Sequence, residues 1–450
     1  MKKTILYILF VILIAISFMF TNSAASVQIK TYPVVILSED LNPLDNNITV
    51  TVEIQKIRYL QPIDTWTLKI KQIDYLTNPS FYVKVFINNV EYNSPIWKYT
   101  KYVNNPNWSA TSIVPKDQDF VNVKIQLWDW NFGKDRLMDI CGNLEKNYPS
   151  SYKANLTYSI KTGIWWGDDS TEEESNQAEP SGFGRLNGCD DGNIGLPGGR
   201  DCELWFNIYQ NDYDGDGIPY WTEVNVYNTN PTIDNRGEDA DNDGVPIEWE
   251  HIWGCGYNPW HWHGPEGYYW VYNPFIWEDH ANMDPDNDGL SNIDEYRTSQ
   301  WGSDPFRKDI FLEIDQMEKG PNGEGVFVPD LSKEMMRDSY DRHNIVFHID
   351  DGSIGGGEIM PFDMNTSDKE LQDMYFNYFL NGEPTNWRRG VFHYALVIYH
   401  CDRYPGFVLG TTADGKNFSL DTLQISTFFH ETFPFKHPLY NMIMRKSINK

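Results

Sequence analysis

The sequence predicts a multidomain protein: an all-β sandwich, then a section of acidic loop repeats, then an α/β domain. Three observations predict this order. Apolar and polar residues alternate over residues 48–163, complete acidic loops recur within 206–305, and strand-like and helix-like patterns alternate over 306–450. A chain of 450 residues is also too long for one ordinary core.

The first 26 residues have the pattern of an export signal. Lys2 and Lys3 precede an uncharged apolar run from Ile5 to Phe20, and small residues follow, with a cleavage position after Ala25. The run is long for a signal, so an uncleaved N-terminal anchor is the alternative. We therefore expect a protein that is secreted or held at the cell surface.

Acidic residues dominate the charge of the chain. The 64 aspartates and glutamates outnumber the 36 lysines and arginines, and the formal net charge is −28. Because binding to phosphates needs a basic surface, this balance argues against nucleic acid as a partner. The 17 tryptophans, 27 tyrosines and 24 phenylalanines argue against a disordered acidic chain.

The predicted sandwich covers residues 48–163. Its strand-like segments are ITVTVEIQKI, TWTLKIKQI, SFYVKVFI and FVNVKIQLWDW, which alternate in polarity and are separated by turn residues. Short strands at this rhythm are typical of a β-sandwich. Residues 164–205 are predicted to be a linker, because the composition becomes acidic and glycine-rich from Gly167 to Arg200. A loop tied down by Cys189 and Cys202 is the alternative.

Three complete twelve-residue loops lie in the predicted repeat section. Each has aspartates at positions 1, 3 and 5, glycine at position 6 and glutamate at position 12. Calcium takes about six to eight oxygens, which this spacing supplies from alternate carboxylates, the position-7 carbonyl and the closing bidentate glutamate. We predict three or more calcium ions, bound by loop 1 (Asp212, Asp214, Asp216, Ile218, Glu223), loop 2 (Asp239, Asp241, Asp243, Val245, Glu250) and loop 3 (Asp284, Asp286, Asp288, Leu290, Glu295).

Each loop leads into a short predicted helix, in WTEVNVY, IEWEHIW and NIDEYRT, and an aromatic insertion separates loop 2 from loop 3. This section resembles thrombospondin type-3 repeats and related bacterial and archaeal repeats, with Asn230-Pro231 and Asn258-Pro259 after the loops as in that pattern. The resemblance implies a calcium-stiffened spacer of an exported protein. Since the loops alone bury little apolar surface, we expect calcium to order this section.

Within the predicted sandwich, LWDWNFGKDRLMDI and SFYVKVFIN resemble the calcium-dependent C2 sandwich of membrane-binding proteins. The resemblance implies a further calcium site where loops gather at one end of the sandwich. Ordinary acidic loop tips are the alternative, and contact with a membrane stays open. The candidate ligands are Asp74, Asp129, Asn131, Asp135 and Asp139.

Residues 306–450 contain DIFLEIDQM, HNIVFHIDDGSIGGGE, RRGVFHYALVIYH and ISTFFHE, which together resemble exported zinc metallopeptidases of the metzincin kind. In that family the last segment continues as HExxHxxGxxH. Its three histidines bind zinc and its glutamate is the general base. The resemblance implies that His430 is the first zinc ligand and that Glu431 is the catalytic base acting on a peptide substrate.

The sequence departs from the metallopeptidase pattern directly after Glu431. Pro434 occupies the position of the second histidine and interrupts a helix. His437 is about 10.5 Å from His430 along a helix axis, and no third histidine or methionine turn follows. We therefore expect a truncated metallopeptidase-like domain that is catalytically incomplete and whose zinc binding is doubtful.

Two functions from different classes follow. The first is an exported calcium-binding protein that resembles a zinc metallopeptidase and would act on peptides if complete. The second is a non-enzymatic, calcium-dependent surface or adhesion protein with a cell-surface partner. The first function would be possible with a different zinc site. That site would combine His430 and His437 with one further histidine, taken from His261, His263, His393 and His400.

Overall fold

The structure is a computed structural model that describes residues 40–60, 78–131, 133–140, 152–168, 184–188, 200–257, 268–325, 327–341, 343–401 and 417–423. All of them belong to one compact unit that begins at Leu37. The predicted signal (residues 1–26) and three predicted site residues, Asp74, His430 and Glu431, lie outside the described residues. Within these ranges no helix is long and apolar enough to cross a membrane.

The N-terminal part is a sandwich of two antiparallel sheets. Its strands are, in chain order, β1 (Ile48–Tyr59), β2 (Phe81–Ile87), β3 (Val90–Asn93), β4 (Tyr102–Val114), β5 (Phe120–Asp129), β6 (Arg136–Leu137), β7 (Ala154–Ser159), β8 (Trp165–Gly167), β9 (Gly184–Asn187) and β10 (Cys202–Gln210). One sheet has the order β4-β1-β10-β9; the other has the order β3-β2-β5-β7-β8, with β6 beside β5. Apolar residues of both sheets form one buried core.

The pattern of alternate burial explains why these segments are strands. Val50, Val52 and Ile54 point into the core, and a bulge between Ile54 and Lys56 then shifts the register. The extra residue places Ile57, rather than Lys56, on the buried face. The predicted β-sandwich is confirmed in this part of the chain.

The sandwich extends beyond the boundary predicted at residue 163. β10 pairs with β1 along most of its length, and β9 pairs with β10, so both belong to the first sheet. The described part of the predicted 164–205 linker is therefore largely strand. The acidic and glycine-rich composition around these short strands concealed them, although CELWFNIYQ is itself mostly buried.

The repeat section contains short helices and little apolar core. α1 (Tyr220–Thr222) continues as a π-helical turn to Tyr227, and α2 (Ile247–Gly254), β11 (Cys255–Tyr257), β12 (Tyr268–Trp270) and α3 (Asn292–Thr298) follow. The three predicted helices after the loops are thus confirmed. Their buried apolar residues form two small groups, one around Trp249 and Trp253 and one around Ile218 and Ile247.

A parallel sheet organises the C-terminal part. Its elements are β13 (Asp309–Met317), α4 (Asp330–Asp341), β14 (Val346–Asp350), β15 (Ile359–Met360), α5 (Asp368–Met374), α6 (Arg388–Val391), β16 (Phe392–Ile398) and β17 (Asn417–Asp421). The sheet order is β14-β13-β16-β17, with β15 beside the end of β13. The predicted strands in DIFLEIDQM, NIVFHIDDG and GVFHYALVIYH and the predicted helix in LSKEMMRDSYDRH are confirmed.

Buried charges join the sandwich to helix α4. Arg185 of β9 donates from Nε to Glu203 at 2.7 Å and contacts the carboxylate of Asp341, the last residue of α4, at 3.4 Å. Arg58 of β1 forms ion pairs with Asp341 and, at 2.6 Å, with Asp338. Because these arginines lie among carboxylates from both parts, they hold α4 against the first sheet.

Candidate metal centres

The three predicted loops share one backbone geometry. The glycine at position 6 has a positive φ in each case, with values of 91° at Gly217, 106° at Gly244 and 97° at Gly289. Its N–H donates to the position-1 aspartate at 2.9, 3.1 and 3.0 Å respectively. Since side chains other than glycine rarely adopt this conformation, glycine allows the turn that brings the acidic residues together.

The position-5 aspartate links each loop to the chain that follows it. One carboxylate oxygen accepts from the N–H of position 7, at 2.8 Å in loop 1, 3.3 Å in loop 2 and 2.7 Å in loop 3. The other oxygen accepts from a more distant backbone N–H. These pairs are Asp216 with Asn235 at 3.3 Å, Asp243 with Glu278 at 3.2 Å, and Asp288 with Asp309 at 2.7 Å.

Carboxylates converge in every loop. In each, one oxygen from each of the three aspartates lies within 4.8 Å of the others. The closing residues, Glu223, Glu250 and Glu295, are buried. Among the described residues, buried oxygens in each loop have no hydrogen-bond partner: both oxygens of Asp214, Asp241, Glu250 and Glu295, and one oxygen each of Glu223 and Asp286.

The buried carboxylate oxygens that have no partner among the described residues indicate whether a cation fits the loops. A buried carboxylate without a partner is costly, and a bound divalent cation removes that cost. Burial raises the pKa of Glu250 to about 9 and that of Glu223 to about 8, and neighbouring aspartates add to the shift. Hard oxygen ligands at this spacing fit calcium, so the residues present are chemically suited to it.

Side chains from outside the twelve-residue pattern lie beside the ligands of loops 2 and 3. Glu278 and His280 lie beside Asp243 and Glu250, and Asp309 lies beside Asp288 and Glu295. These residues follow their loops at different distances along the chain, so no fixed spacing identifies them. The only sequence signal was the presence of acidic residues near loop 3, in the WEDH segment before it and at Asp309 after it.

The predicted site at the end of β5 is already occupied by protein groups. Asp129 accepts from the backbone N–H of Ser80 at 2.9 Å and from the guanidinium of Arg136 at 2.8 Å. Asn131 donates to Asp129 at 2.8 Å, while Asp135 accepts from Tyr82 at 2.8 Å. The structure therefore brings Asp129, Asn131 and Asp135 together, but a cation would have to displace Arg136.

Asp139 is a further candidate ligand along the chain. Its backbone forms an isolated bridge with Asp201, next to the start of β10. Asp74, the remaining candidate, lies outside the described residues. The calcium site predicted at this end of the sandwich stays a prediction.

The predicted zinc residues also lie outside the described residues. The described segment nearest to His430 in the chain is residues 417–423, which contains β17. There Asp421 accepts from the N–H of Cys401 at 3.0 Å and pairs with His400 at 2.8 Å. His400, one of the histidines considered for a rescued zinc site, therefore has a carboxylate beside it.

No family model matches the chain, and no curated protein matches it. Solved structures similar to part of it include human GIVD cytosolic phospholipase A2 in complex with methyl gamma-linolenyl fluorophosphonate (12% identity, TM-score 0.20, 36% of this chain and 17% of that one). Another is a C2 domain with 10% identity and a TM-score of 0.19; the match covers 36% of this chain and 98% of that one. A third is a C2 domain of plant Extended Synaptotagmin 1 with 10% identity and a TM-score of 0.20; the match covers 36% of this chain and 93% of that one. Similarity at these TM-scores carries no argument about fold or function.

Proposed function

We propose that this is an exported protein in which at least three calcium ions fix the repeat section between a β-sandwich and an α/β domain. The observation that carries the proposal is the set of buried closing glutamates, each beside an aspartate loop, with oxygens that have no partner in the described part of the chain. Four carboxylates and a position-7 carbonyl per loop give calcium its preferred ligands. Without a cation the same groups repel one another.

Contacts between the repeat section and the sandwich support a structural role for calcium. Thr222 of α1 donates to the carbonyl of Lys161 at 2.7 Å, and His251 of α2 contacts the carbonyl of Thr162 at 2.6 Å. Both carbonyls belong to the turn between β7 and β8. Calcium that orders loops 1 and 2 would therefore also fix their helices against the sandwich.

Thermal unfolding of the full chain with and without calcium tests the proposal. Addition of about 1 mM calcium should raise the melting temperature, since each site adds about 2.7 kcal/mol when calcium exceeds its Kd about 100-fold. Glu250→Gln should reduce the shift by the contribution of one loop. The matched control, Glu318→Gln, alters an exposed glutamate and should leave the shift unchanged. Equal melting temperatures with calcium and with chelator would overturn the proposal.

Zinc peptidase chemistry is the second candidate, and it rests on the sequence resemblance within residues 306–450. Three of the four segments that carry this resemblance contain adjacent parallel strands, with β13 between β14 and β16. Catalysis would depend on His430 and Glu431. The test is chelator-sensitive cleavage of an unfolded peptide substrate that is lost in Glu431→Ala; no cleavage by the calcium-loaded chain would leave the calcium-dependent surface or adhesion role.

A further inference from the structure

Behind loop 2 lies a buried histidine that faces three carboxylates. Nε2 of His280 is 3.2 Å from Asp243, 3.8 Å from Glu250 and 3.7 Å from Glu278. His280 and Glu250 have no exposed surface, and among the described residues Nε2 of His280 has no hydrogen-bond partner. Oxygens of all three carboxylates and a nitrogen of the histidine lie within 4.8 Å of one another.

We propose that loop 2 is a two-ion site, in which a first-row transition-metal ion such as zinc binds His280, Glu278, Asp243 and Glu250 beside the calcium ion. This inference rests on the proposed calcium function, because Asp243 and Glu250 would serve both ions. An imidazole nitrogen is a poor ligand for calcium, which prefers oxygen, but suits zinc and related metals. The histidine thus distinguishes loop 2 from an all-oxygen calcium loop.

The surroundings of His280 hold its ring in one orientation. The rings of Tyr272 and Trp249 meet it edge to face, with centroids 4.9 and 5.8 Å away. On the side opposite the carboxylates, Nδ1 is 2.9 Å from the amide of Asn292. A metal-bound histidine commonly has such a partner on its second nitrogen, which fixes the ring and its tautomer.

One rearrangement gives a partner to one orphaned atom of this site and makes the other available to a metal ion. The Oδ1 atom of Asn292 is buried and has no partner among the described residues, as is true of Nε2 of His280. Turning the Asn292 amide over would place Oδ1 against Nδ1, which would then carry the ring proton. The lone pair on Nε2 would then be directed at the carboxylates, where a metal ion would accept it.

The count of charges also favours a second cation. Asp239, Asp241, Asp243, Glu250 and Glu278 together carry five negative charges when ionised. One calcium ion would leave three of them uncompensated around buried groups, whereas a second divalent ion would leave one. With one calcium ion, loop 1 would keep two uncompensated charges and loop 3, joined by Asp309, would keep three, so the histidine rather than the charge count distinguishes loop 2.

Metal analysis of the full chain tests the inference. The protein is saturated with calcium, equilibrated with zinc, dialysed and analysed for both metals. Relative to the unchanged protein, His280→Gln and Glu278→Gln should each lose one equivalent of zinc while the calcium-induced melting shift is retained. Asn292→Leu should weaken zinc binding by about 10- to 100-fold. His343→Gln, which removes an exposed histidine, is the matched control and should keep full zinc content.

The outcomes separate this inference from the calcium proposal. A calcium-induced melting shift with the same zinc content in the unchanged protein, His280→Gln and Glu278→Gln would overturn the two-ion site and leave the calcium function in place. The absence of any calcium shift would overturn both. If His280→Gln does not fold, Glu278→Gln still decides, because Glu278 lies outside the calcium loop and is partly exposed.

Discussion

A carboxylate oxygen of Asp288 accepts a hydrogen bond from the backbone N–H of Asp309 at 2.7 Å, which joins loop 3 to the first residue of β13. Lys308, the preceding residue, donates to the carbonyls of Asp286 and Asn287 within the same loop. The loop and the central strand of the C-terminal sheet are therefore connected through several bonds. An ion in loop 3 would fix the start of β13 as well as the loop itself.

This connection predicts that Asp288→Asn weakens the C-terminal domain as well as loop 3. The substitution removes one charged ligand and a hydrogen bond to a charged acceptor, worth about 2 kcal/mol. In calcium, trypsin should cut the variant faster than the unchanged protein within residues 306–341. Asp294→Asn, which alters a half-buried aspartate of α3 outside the ligand set, should not. Equal cleavage rates for all three proteins would contradict the connection.

The stability of the protein should depend on pH differently with and without calcium. Burial raises the pKa of Glu223 to about 8 and that of Glu250 to about 9 in the folded, metal-free protein. A carboxyl group with a raised folded pKa favours folding when protonated, so this contribution is present below the unfolded pKa of about 4.3. It is lost as the pH rises towards 8 or 9.

We therefore expect the metal-free protein to melt at a higher temperature at pH 5 than at pH 8. With saturating calcium the ionised carboxylates are the ligands, so the calcium-induced increase should be larger at pH 8. Differential scanning calorimetry at both pH values, with metal-free buffer and with calcium, measures the two effects. A calcium-induced increase that is equal at the two pH values would show that these glutamates do not bind the ion.

The calcium loops could be predicted from sequence because their ligands are close together in the chain. The residues that lie beside the loops from outside the twelve-residue pattern could not be predicted. Positions 1 to 12 of a loop determine which oxygens converge, and glycine at position 6 confirms the turn. His280 reaches loop 2 only because the chain folds back after the aromatic insertion. In the sandwich, the sequence around Asp129 suggests an acidic site, but it does not reveal that Arg136 turns back onto that carboxylate.

The position-6 glycine of loop 3 should be sensitive to substitution for a backbone reason alone. Gly289 has a φ of 97°, and a Cβ placed there would meet no atom within 4 Å. Gly289→Ala should therefore weaken calcium binding through the strained conformation, by about 1–2 kcal/mol or roughly tenfold in affinity. Gly390→Ala is the matched control, since that glycine also has open space but no positive φ.

Calcium titration by calorimetry compares the two glycine variants. The unchanged protein and Gly390→Ala should titrate alike, while Gly289→Ala should show one weakened site. If Gly289→Ala bound calcium as tightly as the unchanged protein, the turn at position 6 would not be needed for metal binding.

The buried charges between the sandwich and α4 should contribute more stability than an exposed pair. Asp341 contacts both Arg58 and Arg185, and removal of its carboxylate leaves two buried arginines with fewer partners. Asp341→Ala should therefore reduce the free energy of unfolding by about 3–5 kcal/mol. Asp234→Ala removes the exposed partner of Arg236 and should leave the free energy of unfolding almost unchanged, because solvent screens an exposed pair. Urea unfolding in calcium, followed by tryptophan fluorescence, measures both changes, and similar losses for the two variants would show that burial of the arginines does not strengthen this contact.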